Sequence, residues 1–145
     1  MVNLTIPREC IRNNEGRQTE VELASSLMRT KGSFRDPRTT NIIMVWLERL
    51  IGGEKMTKTE QFLVKNCFLL VRNLLYIPEM YGDSNHSDHN QIVWNLFSKN
   101  LNTVILDSID HDESSHWVTS VVQLMALVYK DQHVESLHKG RRHSE

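Results

Sequence analysis

Apolar positions recur every three or four residues through most of this chain, and no stretch shows the strict alternation between turns that marks a β-strand. The longest apolar run spans residues 60–78, EQFLVKNCFLLVRNLLYIP. At 3.6 residues per turn, Phe62, Leu63, Cys67, Leu70, Val71, Leu74, Leu75 and Ile77 cover most of the circumference, interrupted by Lys65, Asn66, Arg72 and Asn73. That pattern predicts a central helix wrapped by neighbours on most sides. Thr57-Lys-Thr-Glu60 has the form of a capping box at its start, and Ile77-Pro78 ends it because the residue before proline avoids the α region. The run is too short and too often interrupted by polar residues to cross a bilayer.

On either side the periodicity predicts further short helices. VNLTIP at 2–7 reads as the tail of a helix, and 8–17, with the turn cluster Asn13-Asn14-Glu15-Gly16, as a loop. Val21, Leu23, Ala24, Leu27 and Met28 follow behind Thr19 as a candidate cap, until Lys31-Gly32. Asp36-Pro37 is an N-cap followed by proline at the first helical position; the helix it opens carries Ile42, Ile43, Trp46, Leu47, Leu50 and Ile51 on one face and stops at Gly52-Gly53. A polar loop over 79–88 precedes a helix capped by Ser87 or Asp88, with Ile92, Val93, Leu96 and Phe97 on its apolar face and Trp94 to one side. Leu101, Val104, Ile105, Leu106 and Ile109 form another, separated near 100–102. The last helix, about 116–130, repeats Trp117, Val121, Leu124, Val128 beside Val118, Val122, Met125, Tyr129, and 131–145 turns polar with a basic run at 139–142. The fold class expected is therefore all-α, with a core of Trp46, Leu47, Phe62, Cys67, Leu70, Val71, Leu74, Leu75, Phe97, Trp117, Val121, Leu124 and Val128.

Composition narrows the function. A chain of 145 residues buries about two thirds of its unfolded surface, so neither disulfides nor a metal are needed to hold it. Lys and Arg number 17 against 18 Asp and Glu, a net charge of −1, which supplies no electrostatic basis for strong DNA binding or for an anionic membrane. Cys10 and Cys67 lack a neighbouring Cys or His at zinc-ligand spacing and read as free thiols of a reducing compartment. No secretory signal opens the chain, so the sequons Asn3-Leu4-Thr5 and Asn85-His86-Ser87 are expected to be idle.

Candidates for chemistry are few. Asp110, His111, Asp112, Glu113 and His116 gather carboxylates and imidazoles, yet they sit before a helix start, where acidic residues suit the positive end of the dipole, and lack the His-x-x-x-His spacing of a zinc helix. His86 and His89 are three apart with no third ligand, and Cys67 lies among Phe68, Leu70 and Val71, the setting of an inert core thiol. No phosphate loop or Gly-x-Ser-x-Gly motif occurs. No catalytic residue, cofactor or metal is assigned, and a metal-dependent or thiol enzyme is the remote alternative. The polar stripe Lys65, Asn66, Arg72, Asn73 is the candidate partner-binding site. Its members pair at two-turn spacing, so it offers a row of donors and acceptors to a partner's backbone or, on the other reading, forms a solvated face.

VNLTIP, LLVRNLLYIPE, NQIVWNLF and QLMALVYKDQHVESL, in that order, resemble the N-terminal domain of the Timeless family over roughly residues 2–137. NLTIPREC, WNLF and YKDQHV look closer to the insect circadian branch than to the replication-fork branch. The resemblance implies an armadillo- or HEAT-like α-solenoid over residues 1–138, incomplete at both ends and followed by a basic tail at 139–145, in a non-catalytic protein of nucleus and cytoplasm. For the circadian branch it implies Period and cryptochrome as partners and repression of clock transcription. For the other branch it implies Tipin, fork protection and the replication checkpoint.

Overall fold

The computed structural model describes residues 16–78 and 87–129. Cys10, His86, the 2–7 block and the basic tail at 139–145 lie outside the described residues, as do most of the loops expected at 8–17 and 79–88. The described residues form six α-helices and one 3-10 turn, with no strand among them. They are α1 (Gly16–Ser33), α2 (Pro37–Ile51), α3 (Lys58–Tyr76), α4 (Asp88–Phe97), α5 (Leu101–Asp110) and α6 (Val118–Tyr129), the 3-10 turn Ser114–His116 preceding α6.

Local chemistry sets most of the boundaries. Asp36 caps α2 by accepting a hydrogen bond from the Arg38 amide at 2.9 Å, and Pro37 occupies the first turn, where its missing N–H costs nothing. Thr57 and Glu60 close a reciprocal box on α3: Thr57 Oγ1 accepts from the Glu60 amide at 3.3 Å, and Glu60 Oε2 accepts from the Thr57 amide at 2.7 Å. Ile77, ahead of Pro78, has turned to ψ 121° and ends the helix. Ser87 caps α4 through the Asn90 amide at 3.2 Å. Asn100 separates α4 from α5 in the left-handed region, φ 63°, a conformation asparagine tolerates better than most residues. Three boundaries differ from the sequence reading, one of them the end of α1, which passes through Gly32 to Ser33. α1 begins at Gly16, so Gly16 and Arg17 belong to a helix and not to a loop, and the Gln18–Glu22 side-chain bond one turn apart at 3.2 Å supports the extra turn. α6 begins at Val118, after a separate 3-10 turn.

α2 packs against α3, α4 and α5, while α6 lies along α3 and also touches α5. Between them sit Met44, Leu47, Ile51, Val64, Phe68, Val71, Leu74, Leu75, Ile92, Leu96, Leu101, Val104, Trp117, Val121, Leu124 and Val128, all buried. Each large side chain taken fully out of water contributes about 1.5–3 kcal/mol. Two polar groups inside tie elements together: Trp117 Nε1–H donates to Ser108 O at 2.9 Å, and Asn95 Nδ2 donates to Arg35 O at 2.9 Å, fastening α4 to the α1–α2 link.

Two residues expected in the core are on the surface, Trp46 at 49 % and Phe62 at 63 % exposure. The inward row of α2 is Thr40, Met44, Leu47, Ile51, which turns Ile42 and Trp46 outward; Trp46 instead lies under the Arg49 guanidinium, 5.7 Å from its centroid. The inward row of α3 is Val64, Phe68, Val71, Leu75, and Phe62, two residues from Val64, points about 160° away from it. α3 is therefore lined on one side, not wrapped all round, and Cys67, Leu70 and Phe97 are half-buried at the core's margin. No helix among the described residues is long and apolar enough to cross a membrane.

Candidate partner-binding face

The outward side of α3 carries the four polar residues singled out from the sequence, in two distinct settings. Lys65 is exposed, while Asn66, Arg72 and Asn73 are half-buried. Arg72 folds across toward its neighbours: Nε and Nη2 donate to Asn73 Oδ1 at 3.0 and 2.6 Å, and Nη1 donates to Gln123 Oε1 on α6. Its guanidinium thereby joins α3 to α6 while keeping its charge, because both acceptors are neutral amides. Asn73 has its oxygen occupied and its amide N–H groups available as donors.

Between these polar residues lie side chains that a core-first reading passes over. Phe62, Asn66, Leu69, Asn73 and Tyr76 follow one another at intervals of four, three, four and three residues, so they form a single row on the helix surface. Phe62 and Tyr76 are 63 % and 68 % exposed, and Leu69 is half-buried. Lys58, Lys65 and Arg72 flank that row on one side and Leu63 and Leu70 on the other. The Phe62, Leu69, Tyr76 recurrence was available in the sequence as a seven-residue period; Gln123, fifty-one positions from Arg72, had no such signal.

The other candidates for chemistry have structural employment. His111 Nδ1 accepts from the Glu113 amide at 3.1 Å and Nε2 lies 3.1 Å from Gly53 O, so the neutral ring carrying its hydrogen on Nε2 satisfies both. The same ring stands 5.7 Å from Trp117, and the acidic segment thus ties the α2–α3 turn to the corner before α6. His116 Nε2 lies 3.3 Å from Glu113 Oε2 at the surface. Among the described residues no group of three or more His, Cys, Asp or Glu could hold a metal ion. His89 is buried in the first turn of α4. Burial pushes the Cys67 thiol up from its ordinary range, the opposite of what a nucleophile requires.

Comparison with known proteins matches this sequence to one family. The family model described as Timeless protein covers residues 1–145. Protein timeless of Drosophila melanogaster is 34 % identical over 157 aligned residues, which take in 96 % of this chain and 11 % of that protein. Protein timeless of Drosophila hydei is 35 % identical over 82 residues, 49 % of this chain and 12 % of that one. Protein timeless homolog of Homo sapiens is 25 % identical over 149 residues, 94 % of this chain and 12 % of that one. The chain thus spans about a ninth of the fly protein's length.

Proposed function

Because this chain belongs to the Timeless protein family, we propose that it is part of a non-enzymatic protein-interaction scaffold of the circadian clock, which binds Period and contributes to repression of clock transcription in the nucleus. The observation that carries the reading is that nearly the whole of this chain matches about a ninth of the fly protein at 34 % identity, against 25 % to the human homologue over a similar span. That difference supports the insect branch suggested by NLTIPREC, WNLF and YKDQHV. The physical side agrees with it: a near-neutral helical array offers shaped surface, the described His111 and His116 are engaged by neighbouring groups, and the largest exposed side chains among the described residues stand on helices as candidate contacts. Among these surfaces the α3 row with Asn66 and Asn73 is the one we assign to a partner.

A second reading, a fork-protection subunit that binds Tipin, is favoured by the match to the human homologue over 94 % of this chain. Parallel co-precipitation of the tagged chain with Period and with Tipin of the same organism separates the two. Capture of Period is expected, with loss on changing Asn66 and Asn73 together to alanine. Capture of Tipin alone rejects the clock assignment, and Period capture unchanged in the double variant removes α3 from the contact.

A further inference from the structure

The outer side of α3 carries a seven-residue repeat of which the fold engages chiefly Arg72, bonded to Gln123 of α6. Phe62, Leu69 and Tyr76 recur at that interval, as do Lys58, Lys65 and Arg72, and Asn66 and Asn73 repeat once in step with them. Seven residues make close to two turns, so each series keeps to its own row at intervals of about 10.5 Å. The row that packs inside, Val64, Phe68, Val71 and Leu75, lies on the opposite side. Internal packing accounts for that row and leaves the outer one unexplained, with Phe62 and Tyr76 each more than 60 % exposed.

The charge on this side has one sign. The only carboxylate of α3 is Glu60, held in the first turn by the Thr57 amide and hydroxyl and lying near Arg49 of α2. α6, alongside, contains no Asp, Glu, Lys or Arg. Among the described residues no carboxylate pairs with Lys58, Lys65 or Arg72; Arg72 meets only amide oxygens. A chain of net charge −1 therefore concentrates three cations along one apolar row.

We infer that the outer face of α3 docks an acidic amphipathic helix of a protein partner. The partner's apolar stripe lies on Phe62, Leu69 and Tyr76. Its carboxylates, recurring every seven residues, stand opposite Lys58, Lys65 and Arg72, and its polar side chains meet Asn66 and Asn73. A period of seven on both the apolar and the charged row fits a second helix laid alongside, as at a coiled-coil seam with its flanking charges. It fits a nucleic-acid strand poorly: phosphates there follow at about 3.4 Å of rise per strand, several for every cation. The inference rests on the scaffold reading above but not on Period being the partner.

The test is fluorescence anisotropy with a labelled three-heptad helical peptide bearing leucine on its apolar stripe and glutamate along one flank. A second peptide with lysine in place of glutamate and an oligo-dT strand serve as competing probes. The glutamate peptide is expected to bind the chain and the lysine peptide to bind at least about tenfold more weakly, since like charges are then juxtaposed. K58E/K65E and F62S/Y76S are each expected to cost about tenfold or more in affinity for the glutamate peptide. The exposed control pair K55E/K99E, off α3, is expected to change nothing, and circular dichroism of each variant establishes that the helices are retained. Equal binding of both peptides, or wild-type affinity in the α3 variants, overturns the proposal. Tighter binding of oligo-dT that is lost in K58E/K65E reassigns the face to nucleic acid. A chain that sediments as a dimer and becomes monomeric in F62S/Y76S reassigns it to a second copy. Peptide failure with Period capture intact rejects the α3 docking alone; Period failure with peptide binding intact rejects only the partner's identity.

Discussion

The ammonium of Lys31 donates a 2.7 Å hydrogen bond to the carbonyl of Ile77, joining the last turn of α1 to the point where α3 stops. Lys31 is only 2 % exposed, and its aliphatic stem passes through the interior to reach the carbonyl. A helix end leaves its last carbonyls without intrahelical donors, and a cation there is favoured by the macrodipole. The contact therefore fixes α1 to the body of the protein at a site that local sequence does not mark.

Replacing Lys31 by Met retains most of the stem and removes that donor. The expected cost is about 1–3 kcal/mol, the range for a buried charged hydrogen bond whose acceptor is left behind. Urea unfolding of the K31M variant measures it. A midpoint equal to wild type would show that the bond is not a net contributor.

The capping box of α3 makes stability depend on pH in a definite direction. Glu60 accepts bonds from the Thr57 amide and hydroxyl, which hold its carboxyl below the ordinary 4.5, so the folded state favours the ionised form. A carboxyl lowered in this way contributes stability that is present above its unfolded pKa and disappears as pH falls through the folded one. The Glu60→Gln variant should be less stable than wild type near neutrality, with the gap closing as the pH drops below about 4.5. Thr57→Ala should cost about 1 kcal/mol. Denaturant midpoints at neutral and acid pH provide the comparison.

Two phenylalanines six positions apart on α3 should respond very unequally to truncation. Phe68 is fully buried, and Phe68→Ala is expected to cost about 3–5 kcal/mol through lost burial and the cavity left behind. Phe62 stands outward, and Phe62→Ala should stay within about 0.5 kcal/mol of wild type. Thermal and urea unfolding of the two variants decide the matter, and equal losses would contradict the orientation of α3.

Cys67 should behave as a masked thiol. Its burial raises the pKa, so at mildly alkaline pH the thiolate is scarcer than in free cysteine. Labelling of Cys67 by a disulfide reagent, followed with Cys10 replaced by serine, should be slow in the native chain and accelerate in denaturant. Rapid native labelling would show an exposed thiol.

Features that depend on residues within one or two turns of each other were legible along the chain. The Thr57–Glu60 box, the Asp36-Pro37 start and the stop at Ile77-Pro78 are bonds or steric limits between near neighbours, so their residue types suffice; for α4 residue types leave Ser87 and Asp88 both open, and the structure uses Ser87. The all-helical class followed from the same local periodicity. The candidate face was visible as Lys65, Asn66, Arg72 and Asn73, but its apolar half, Phe62, Leu69 and Tyr76, does not differ by residue type from side chains that pack inside.

The choice of which apolar row turns inward belonged to packing. α2, α3 and α6 each carry more than one such row, and a helix considered alone has no means of ranking them. Neighbours brought from elsewhere in the chain made the choice: Met44 went in and Trp46 out, Val64 and Phe68 in and Phe62 out, Val121 in and Val122 out. The same distant contacts buried Lys31 against Ile77, set Arg72 on Gln123 and used His111 to hold Gly53. Periodicity could state that α3 would be a helix with apolar residues to bury. Which of them would stay exposed depended on where α2 and α6 came to lie, because burial is a property of the assembled neighbours and not of the helix that carries the side chain.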